Sequence, residues 1–337
     1  MRSLFALFLG VTTIACSPDP EGTSAEEAVE KPTLTIYSGR SESLVGPIFD
    51  KLEAEGKFNL QVQYGDTAEM VTRLITEGSE SPADLIFAQD SGHLGVLAAK
   101  DLLTPLPETL LEQVDTRFQS TDKLWIGTSG RLRVLVYNTQ SLNADSLPAS
   151  LRELADPKWK GRLGWAPTNG SFQAHLSALR HAWGEEETEA WLNGVLANAP
   201  TAYPKNSPQV AAAHVGEIDI GWVNHYYLHR LDPTDRNASN WSFSAEEDAG
   251  NVLMVAGVGI RAGSPHEAEA HALIEHLISE STQAYFASEV YEYPTRPGVM
   301  THADVQPLEE ISLAPVDQSH MADLGPTREL LQRLGLM

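Results

Sequence analysis

The stretch Arg131-Leu-Arg-Val-Leu-Val-Tyr137 decides the fold, because its strong alternation predicts a strand that is longer than its neighbours. A second long apolar run is Asn251-Val-Leu-Met-Val-Ala-Gly-Val-Gly-Ile260. Two long strands so far apart in a chain are typical of crossings between two lobes, with a second α/β unit between them. We therefore predict a protein that is hinged at these two strands.

Short β-rich runs alternate with amphipathic segments before the first of these strands. Leu34-Thr-Ile-Tyr37 predicts a strand, and apolar residues follow it at helical spacing between Leu44 and Leu52. Leu60-Gln-Val-Gln-Tyr64 alternates with the period of a half-buried strand. Strand, helix, strand, helix in this rhythm indicates an α/β fold with a sheet rich in parallel strands.

Helices are also predicted further along the chain. They cover residues 171–183, 185–196, 207–215 and 266–279, and a last helix holds Leu330, Leu331 and Leu334. The segment between the two long strands is therefore predicted to form an α/β unit of its own.

The first residues are typical of an export signal. Residues 1–15 contain one early positive charge, an apolar core and a small-residue end. Cys16 follows at once and resembles the lipidated cysteine of bacterial lipoproteins, although Thr13 departs from that motif, so cleavage without lipidation is the alternative. Residues 16–32 offer little to bury and predict a disordered tether. We expect a periplasmic or cell-surface lipoprotein that touches a membrane only through this lipid.

Composition excludes several classes of function. The chain has 46 acidic and 23 basic residues, which disfavours nucleic acid as a partner. Cys16 is the only cysteine, so neither an intrachain disulfide nor a thiolate metal site is expected. The sequence has no His-Glu-x-x-His motif, no Gly-x-Ser-x-Gly motif and no phosphate loop. Nothing in it indicates an enzyme.

Two adjacent tyrosines are candidate metal ligands. Tyr226 and Tyr227 follow the apolar run 218–223, and a strand that ends there would place both phenols where open α/β sheets bind ligands. Deprotonated phenols are hard donors that suit ferric iron. The alternative is simple packing, with one ring in the core and one at its rim.

Other features could bind an anion or belong to the core. Asn169-Gly-Ser171 precedes a predicted helix, so its amides form either an anion site or an ordinary N-cap. Arg40 follows the first strand and could hold an oxyanion, or it could be a surface arginine. Tyr137 ends the long strand, where alternation alone would make it a core or rim residue.

Several blocks, in order, resemble the ferric iron-binding proteins of bacterial ABC importers, which are two-lobed, transferrin-like solute-binding proteins. The blocks are Ile36-Tyr-Ser-Gly-Arg40, Ser81-Pro-Ala-Asp84, Gly130-Arg-Leu-Arg-Val-Leu-Val-Tyr-Asn138, Asp156-Pro-Lys-Trp-Lys-Gly-Arg162, Tyr203-Pro-Lys-Asn206, Asn224-His-Tyr-Tyr227 and Glu292-Tyr-Pro294. The match runs from about Thr33 to Gly298.

The resemblance implies a set of iron ligands. Tyr226 and Tyr227 would supply two phenolates, and the third tyrosine that many members use falls on Tyr137. The histidine of some relatives falls on Ser41 or near it on Glu42, and their glutamate falls on Gln89. The chain is therefore similar to the subgroup that uses three tyrosines and an exogenous anion.

The resemblance also implies how that anion would be held. Three phenolates neutralise ferric iron but leave its octahedral preference unfilled, so we expect a bidentate carbonate, or phosphate. The candidate side chains and amides for the anion are Arg40, Arg131 or Arg133, and Asn169, Gly170, Ser171, Asn206 and Asn224. Asp66, Glu42 or water could complete the coordination instead.

The predicted fold is therefore a two-lobed α/β periplasmic-binding-protein fold of type II. One lobe would hold residues 33–131 and 257–306, and the other residues 132–256 and 307–337. The expected function of this monomer is to bind ferric iron and deliver it to an ABC permease. The alternatives are an oxyanion-binding protein without metal and an iron-sensing receptor domain.

Overall fold

A mixed sheet of ten strands runs through the part of the chain that the computed structural model describes, residues 31–316 and 318–337. The predicted signal at 1–15, Cys16 and all of the tether but its last residues lie outside the described residues. Residues Pro32–Met337 form one compact unit.

The sheet contains both predicted long strands at its centre. The strands are β1 (Thr33–Ser38), β2 (Asn59–Tyr64), β3 (Leu85–Ala88), β4 (Leu103–Thr104), β5 (Ile126–Asn138), β6 (Leu163–Trp165), β7 (Thr201–Ala202), β8 (Ile220–Asn224), β9 (Ala238–Trp241) and β10 (Leu253–Arg261). Their order is β2-β1-β3-β10-β5-β8-β6-β7, with β4 paired to β10 and β9 paired to β5.

Helices cover this sheet. They are α1 (Glu42–Ala54), α2 (Thr67–Glu77), α3 (Ser91–Ala98), α4 (Glu108–Leu111), α5 (Gly170–Trp183), α6 (Glu185–Ala197), α7 (Asn206–Val215), α8 (Glu267–Leu277), α9 (Glu280–Ser288) and α10 (Leu324–Arg333). The pairs β1–β2, β1–β3, β6–β7 and β6–β8 are parallel. The predicted α/β class with parallel strands is therefore confirmed.

Strand β5 belongs to two ladders. Its first part, through Leu132, pairs antiparallel with β10, whereas its residues from Arg133 pair antiparallel with β8. We call β1–β4 and β10 with their helices the first half, and β6–β9 with theirs the second half. The two halves meet along β5.

Both faces of β5 are buried in apolar clusters. Val134 and Val136 belong to a cluster that covers the first half and continues onto α7, whereas Leu135 belongs to a second cluster with Trp222 and Phe172. The alternation in 131–137 predicted the strand correctly, but its arginines do not mark a solvent-exposed face. Arg131 and Arg133 are themselves buried.

Helices α3 and α9 escaped the sequence analysis. The sequence of α3, Ser-Gly-His-Leu-Gly-Val-Leu-Ala, carries no polar stripe opposite an apolar one, because most of the helix is buried. Its N-cap is Asp90, whose carboxylate accepts a hydrogen bond from the backbone N–H of His93 at 3.1 Å. The cap therefore fixes where α3 begins.

Candidate functional site

A cavity of about 330 Å³ lies between the two halves, beside β5. The first half contributes Ser41, Asp66, Gln89, Asp90 and His93, and the second half contributes Asn169, Gly170, Ser171, Asn206, Asn224, Tyr226 and Tyr227. Arg131 lines it from β5, and the C-terminal segment adds Met321, Leu324 and Arg328. Most of the side chains predicted to bind the metal or the anion therefore meet in one place.

The tyrosine pair lies just beyond the carboxyl end of β8. The strand ends at Asn224, and a 3₁₀ turn, His225–Arg230, carries both phenols into the cavity wall. The rings of Tyr226 and Tyr227 stack with their centroids 4.3 Å apart and their planes 28° apart. The guanidinium of Arg230 lies over both rings, 5.5 Å from the first centroid and 4.4 Å from the second.

The phenol of Tyr226 stays protonated in the absence of a metal ion. Burial raises its pKa above the ordinary value for tyrosine, and the neighbouring Tyr227 raises this pKa further, while Arg131 opposes both effects. A proton can leave this phenol at neutral pH only if a cation takes its place. Deprotonated phenols are hard oxygen donors.

Arg133 is a fully buried cation that the sequence analysis considered only as a possible anion ligand. Its Nη1 donates to Asn224 Oδ1 at 3.0 Å and Asn206 Oδ1 at 3.3 Å, and its Nη2 donates to the Trp222 carbonyl at 2.9 Å. Within the described ranges it forms no ion pair with a carboxylate, and its Nε has no hydrogen-bond partner. Burial lowers the pKa of Arg133 to about 9, so the guanidinium remains charged at neutral pH.

Arg131 adds a second buried charge, and it lines the cavity directly, whereas Arg133 lies behind the lining residues Asn206 and Asn224. Its Nη2 donates to the carbonyl of Gln89, and its Nε has no partner among the residues that the structure describes. Buried charges are costly unless a counter-charge meets them. Two guanidinium groups of this kind beside a cavity therefore favour an anionic occupant.

The predicted anion-binding residues form one hydrogen-bonded group around the start of α5. Asn169 is the N-cap, and its Oδ1 accepts from the backbone N–H of Ser171 at 3.2 Å and from its hydroxyl at 2.6 Å. Asn206 Nδ2 donates to the hydroxyl of Ser171 at 3.3 Å. A side chain at Gly170 would meet no atom within 4 Å, so open space lies above this helix end. The group resembles a helix-terminus anion site.

Arg40 does not reach the cavity, contrary to our prediction. Its Nη2 forms a buried ion pair with Glu292 Oε2 at 2.8 Å, and its Nη1 contacts the other carboxylate oxygen at 3.1 Å. The remaining contact of Nη1 is to Gln89 Oε1 at 3.0 Å. The guanidinium is therefore paired with a carboxylate from a distant part of the chain. The sequence around Arg40 could not reveal this pairing.

Tyr137 does not join the tyrosine pair either. It pairs with Ile220 at the start of β8, whereas Arg133 pairs with Asn224 at the end of that strand. Four residues of strand separate these positions by about 13 Å. Because β5 and β8 run antiparallel, the end of β5 lies beside the beginning of β8. Tyr137 packs against the second apolar cluster instead.

The structure adds one residue pair that the sequence analysis missed. His93 Nδ1 lies 2.7 Å and 2.9 Å from the two carboxylate oxygens of Asp90, on the first-half wall of the cavity. No motif marks this pair, since it results from the N-cap of a helix that the sequence did not predict. Of the two alternative carboxylates, Asp66 lines the cavity and Glu42 is not among the lining residues.

Comparison with known proteins gives a consistent family. Residues 80–320 match the family described as bacterial extracellular solute-binding protein. The chain is 30% identical over 334 residues to the Fe(3+)-binding periplasmic protein of Serratia marcescens, covering 98% of each chain. It is 31% identical to iron uptake protein A1 of a Synechocystis strain, covering 93% of this chain and 88% of that protein.

Solved structures agree in fold. The iron-bound HitA of Pseudomonas aeruginosa superposes with a TM-score of 0.82 at 29% identity, over 90% of this chain and 99% of that one. The predicted two-lobed fold is confirmed, because its structural neighbours have that architecture. No helix in the described ranges is both long and apolar enough to span a bilayer.

The family also bears on the class of function. Solute-binding proteins have a role in transport and work with the permeases of ABC importers. The chain belongs to the family of bacterial extracellular solute-binding proteins, as a relative of the periplasmic ferric iron-binding proteins.

Proposed function

We propose that this protein binds ferric iron outside the cytoplasm and delivers it to the permease of an ABC importer. The observation that carries the proposal is the stacked pair Tyr226 and Tyr227 in the wall of a cavity beside buried arginines. Two adjacent phenols with a nearby positive field form a donor set for a hard, highly charged cation.

Iron binding would exchange protons for metal. Both phenols lose their protons as they coordinate, and the resulting phenolates gain the attraction of the nearby guanidinium groups. Two phenolates leave one charge of the ferric ion unbalanced, and around the cavity three arginines, Arg131, Arg133 and Arg328, stand against two carboxylates, Asp66 and Asp90. An anion would therefore improve the charge balance, and carbonate or phosphate are our candidates.

The second-half wall offers donors for that anion. Ser171, Asn169 and Asn206 surround the open start of α5, and Arg133 lies behind them within hydrogen-bond distance of Asn206 and Asn224. A bound anion would supply the counter-charge that Arg133 lacks. Arg40 and Tyr137 have no part in this proposal, because neither lines the cavity.

Two lobes would close over the metal. We assign residues 33–131 and 257–306 to one lobe and 132–256 and 307–337 to the other, with the hinge at the two long strands, β5 and β10. Closure of solute-binding proteins around their ligand is a hinge motion, and the closed form is the one we expect the permease to recognise. Lipidation at Cys16 would keep the monomeric protein at a membrane surface.

Visible spectroscopy tests the proposal. The purified protein, loaded with ferric iron in bicarbonate buffer, should show a phenolate-to-iron charge-transfer band and one iron per chain by elemental analysis. The band should disappear in Tyr226→Phe and in Tyr227→Phe. Tyr137→Phe is the matched control and should keep it. A colourless wild-type protein that retains no iron would refute the proposal.

The buried arginines favour one second candidate, an oxyanion-binding protein without metal. In that case, calorimetry should detect phosphate or carbonate binding to metal-free protein, with no further change when iron is added. The same titration with iron present distinguishes the two candidates.

A further inference from the structure

The cavity wall that faces the tyrosine pair carries an imidazole held by a carboxylate. His93 lies on α3 of the first half, and its side chain is 16% exposed, on the surface that lines the cavity. Its Nδ1 lies within hydrogen-bond distance of both oxygens of Asp90. In the neutral imidazole this contact places the proton on Nδ1 and leaves Nε2 with the lone pair.

Two further features fix this imidazole in place. Asp90 is also the N-cap of α3 and accepts from the backbone N–H of the same histidine, so one carboxylate holds both the ring and the main chain. Gly92 packs against the C-terminal segment, where a side chain would lie 2.6 Å from the backbone nitrogen of Ala322. Among the described residues, Nε2 of His93 has no hydrogen-bond partner.

This arrangement is the one that prepares histidines for metals. A metal-binding imidazole usually donates its other N–H to a carboxylate, which sets the tautomer and increases the basicity of the coordinating nitrogen. Imidazole is also a common ligand of iron. Asp66 and Arg328 lie close enough to His93 to influence its charge. The charged groups near His93 therefore include both signs.

The cavity separates His93 from the tyrosine pair, since they lie on walls from different halves. Two ligands on opposite sides of a first-row metal lie about 4 Å apart. Coordination by the tyrosines and His93 together would therefore draw the two halves towards each other. Hinge closure is the motion by which two-lobed proteins do this.

We propose that His93, oriented by Asp90, is an iron ligand that the first half supplies when the protein closes. The inference rests on the proposed iron function and adds a donor to it. Without His93, the first half contributes few charged groups that could bind the metal. With it, closure adds a metal bond, and the closed form is stabilised by iron itself.

Magnetic resonance on the loaded protein tests this proposal directly. Iron-loaded protein labelled with ¹⁵N only in histidine should show a ¹⁵N coupling to the ferric ion in electron–nuclear double resonance. The coupling should disappear in His93→Ala. In competition with a chelator, His93→Ala and Asp90→Asn should both lower iron affinity, by on the order of 10- to 100-fold. Asparagine keeps the helix cap, so Asp90→Asn should fold normally.

His266→Gln is the matched control. This histidine also has an aspartate at Nδ1, Asp84 at 3.1 Å, but it lies outside the cavity. It should retain both the histidine coupling and the affinity of the wild-type protein. A charge-transfer band with no histidine coupling would overturn the assignment of His93 and leave the iron proposal intact. Absence of the band itself would overturn both.

Discussion

The ion pair between Arg40 and Glu292 leads to the most decisive prediction about the fold. Both side chains are fully buried, and Glu292 also accepts a hydrogen bond from Ser129 Oγ at 2.5 Å. Glu292→Gln removes the negative charge and keeps the size of the side chain. The guanidinium of Arg40 then stays buried with neutral amide oxygens as its side-chain acceptors, including that of Gln89, and has lost its counter-charge.

The expected cost follows from the geometry. Removing one partner of a buried, well-hydrogen-bonded ion pair costs about 3 to 5 kcal/mol, because an uncompensated charge is left inside the protein. Urea unfolding at pH 7, followed by tryptophan fluorescence, should show this loss in Glu292→Gln. The double variant Arg40→Met with Glu292→Gln should recover much of it, since the guanidinium of Arg40 is then no longer buried without its counter-charge.

The same pair predicts a pH dependence of stability. The pKa of Glu292 is lowered in the folded state: burial opposes this shift, but the charges of Arg40 and Arg131 and the hydrogen bonds outweigh it. Its contribution is therefore complete above the pKa of an unfolded glutamate, about 4.3, and is lost as the pH falls through the folded value. In Glu292→Gln, the free energy of unfolding should therefore decrease less than in the wild-type protein as the pH falls.

Two outcomes would refute this reasoning. A loss of less than about 1 kcal/mol in Glu292→Gln would mean that the pair is solvated or replaceable. Iron loading that disappears in Arg40→Met while the fold persists would mean that Arg40 serves the site, as our sequence analysis expected.

Three further predictions concern the cavity. Arg133→Met should abolish the dependence of iron affinity on carbonate or phosphate, because it removes the buried charge that the anion would balance; a dependence that persists in chelator competition would contradict this. Iron displaces protons from two phenols, and the pKa of one of them, Tyr226, is raised, so iron affinity should fall by about 100-fold for each pH unit of acidification. The measurement is a chelator competition corrected for the pH dependence of the chelator. An iron affinity that does not change with pH would exclude phenolate ligands. Gly92→Val should lower the melting temperature, because the new side chain would clash with Ala322. Gly170→Ala should leave the melting temperature unchanged, because no atom lies within 4 Å of the new methyl group. Equal melting temperatures for the two variants would contradict the packing described.

The sequence predicted the parts of this molecule that local patterns encode. These patterns depend only on residues that are close together in the chain. They are the alternation at 131–137, the helical spacing after Leu34-Thr-Ile-Tyr37 and the apolar run before Tyr226. The ordered blocks added the family and the anion-binding group, and the structure places that group around one helix start.

The misplaced residues share a physical cause, because each depends on a contact between distant parts of the chain. Arg40 is neutralised by Glu292, 252 residues away. Tyr137 is carried away from the site by the antiparallel register of β5 and β8. No local spacing in the sequence contains these two contacts. His93 is a different case, because its partner Asp90 is only three residues away, but the helix that they begin has no amphipathic pattern to reveal it.

The change of partners within β5 has a consequence for energetics. Arg131 pairs with Met254 in one ladder, and Arg133 pairs with Asn224 in the other. One peptide segment thus carries two like charges, each in register with a strand of a different half. In the closure that we propose, rotation between the halves would alter the spacing of those charges, and their mutual repulsion would oppose some angles more than others. An anion that bridges the two arginines would replace their repulsion by a net attraction, so the preferred angle between the halves would depend on whether the anion is bound.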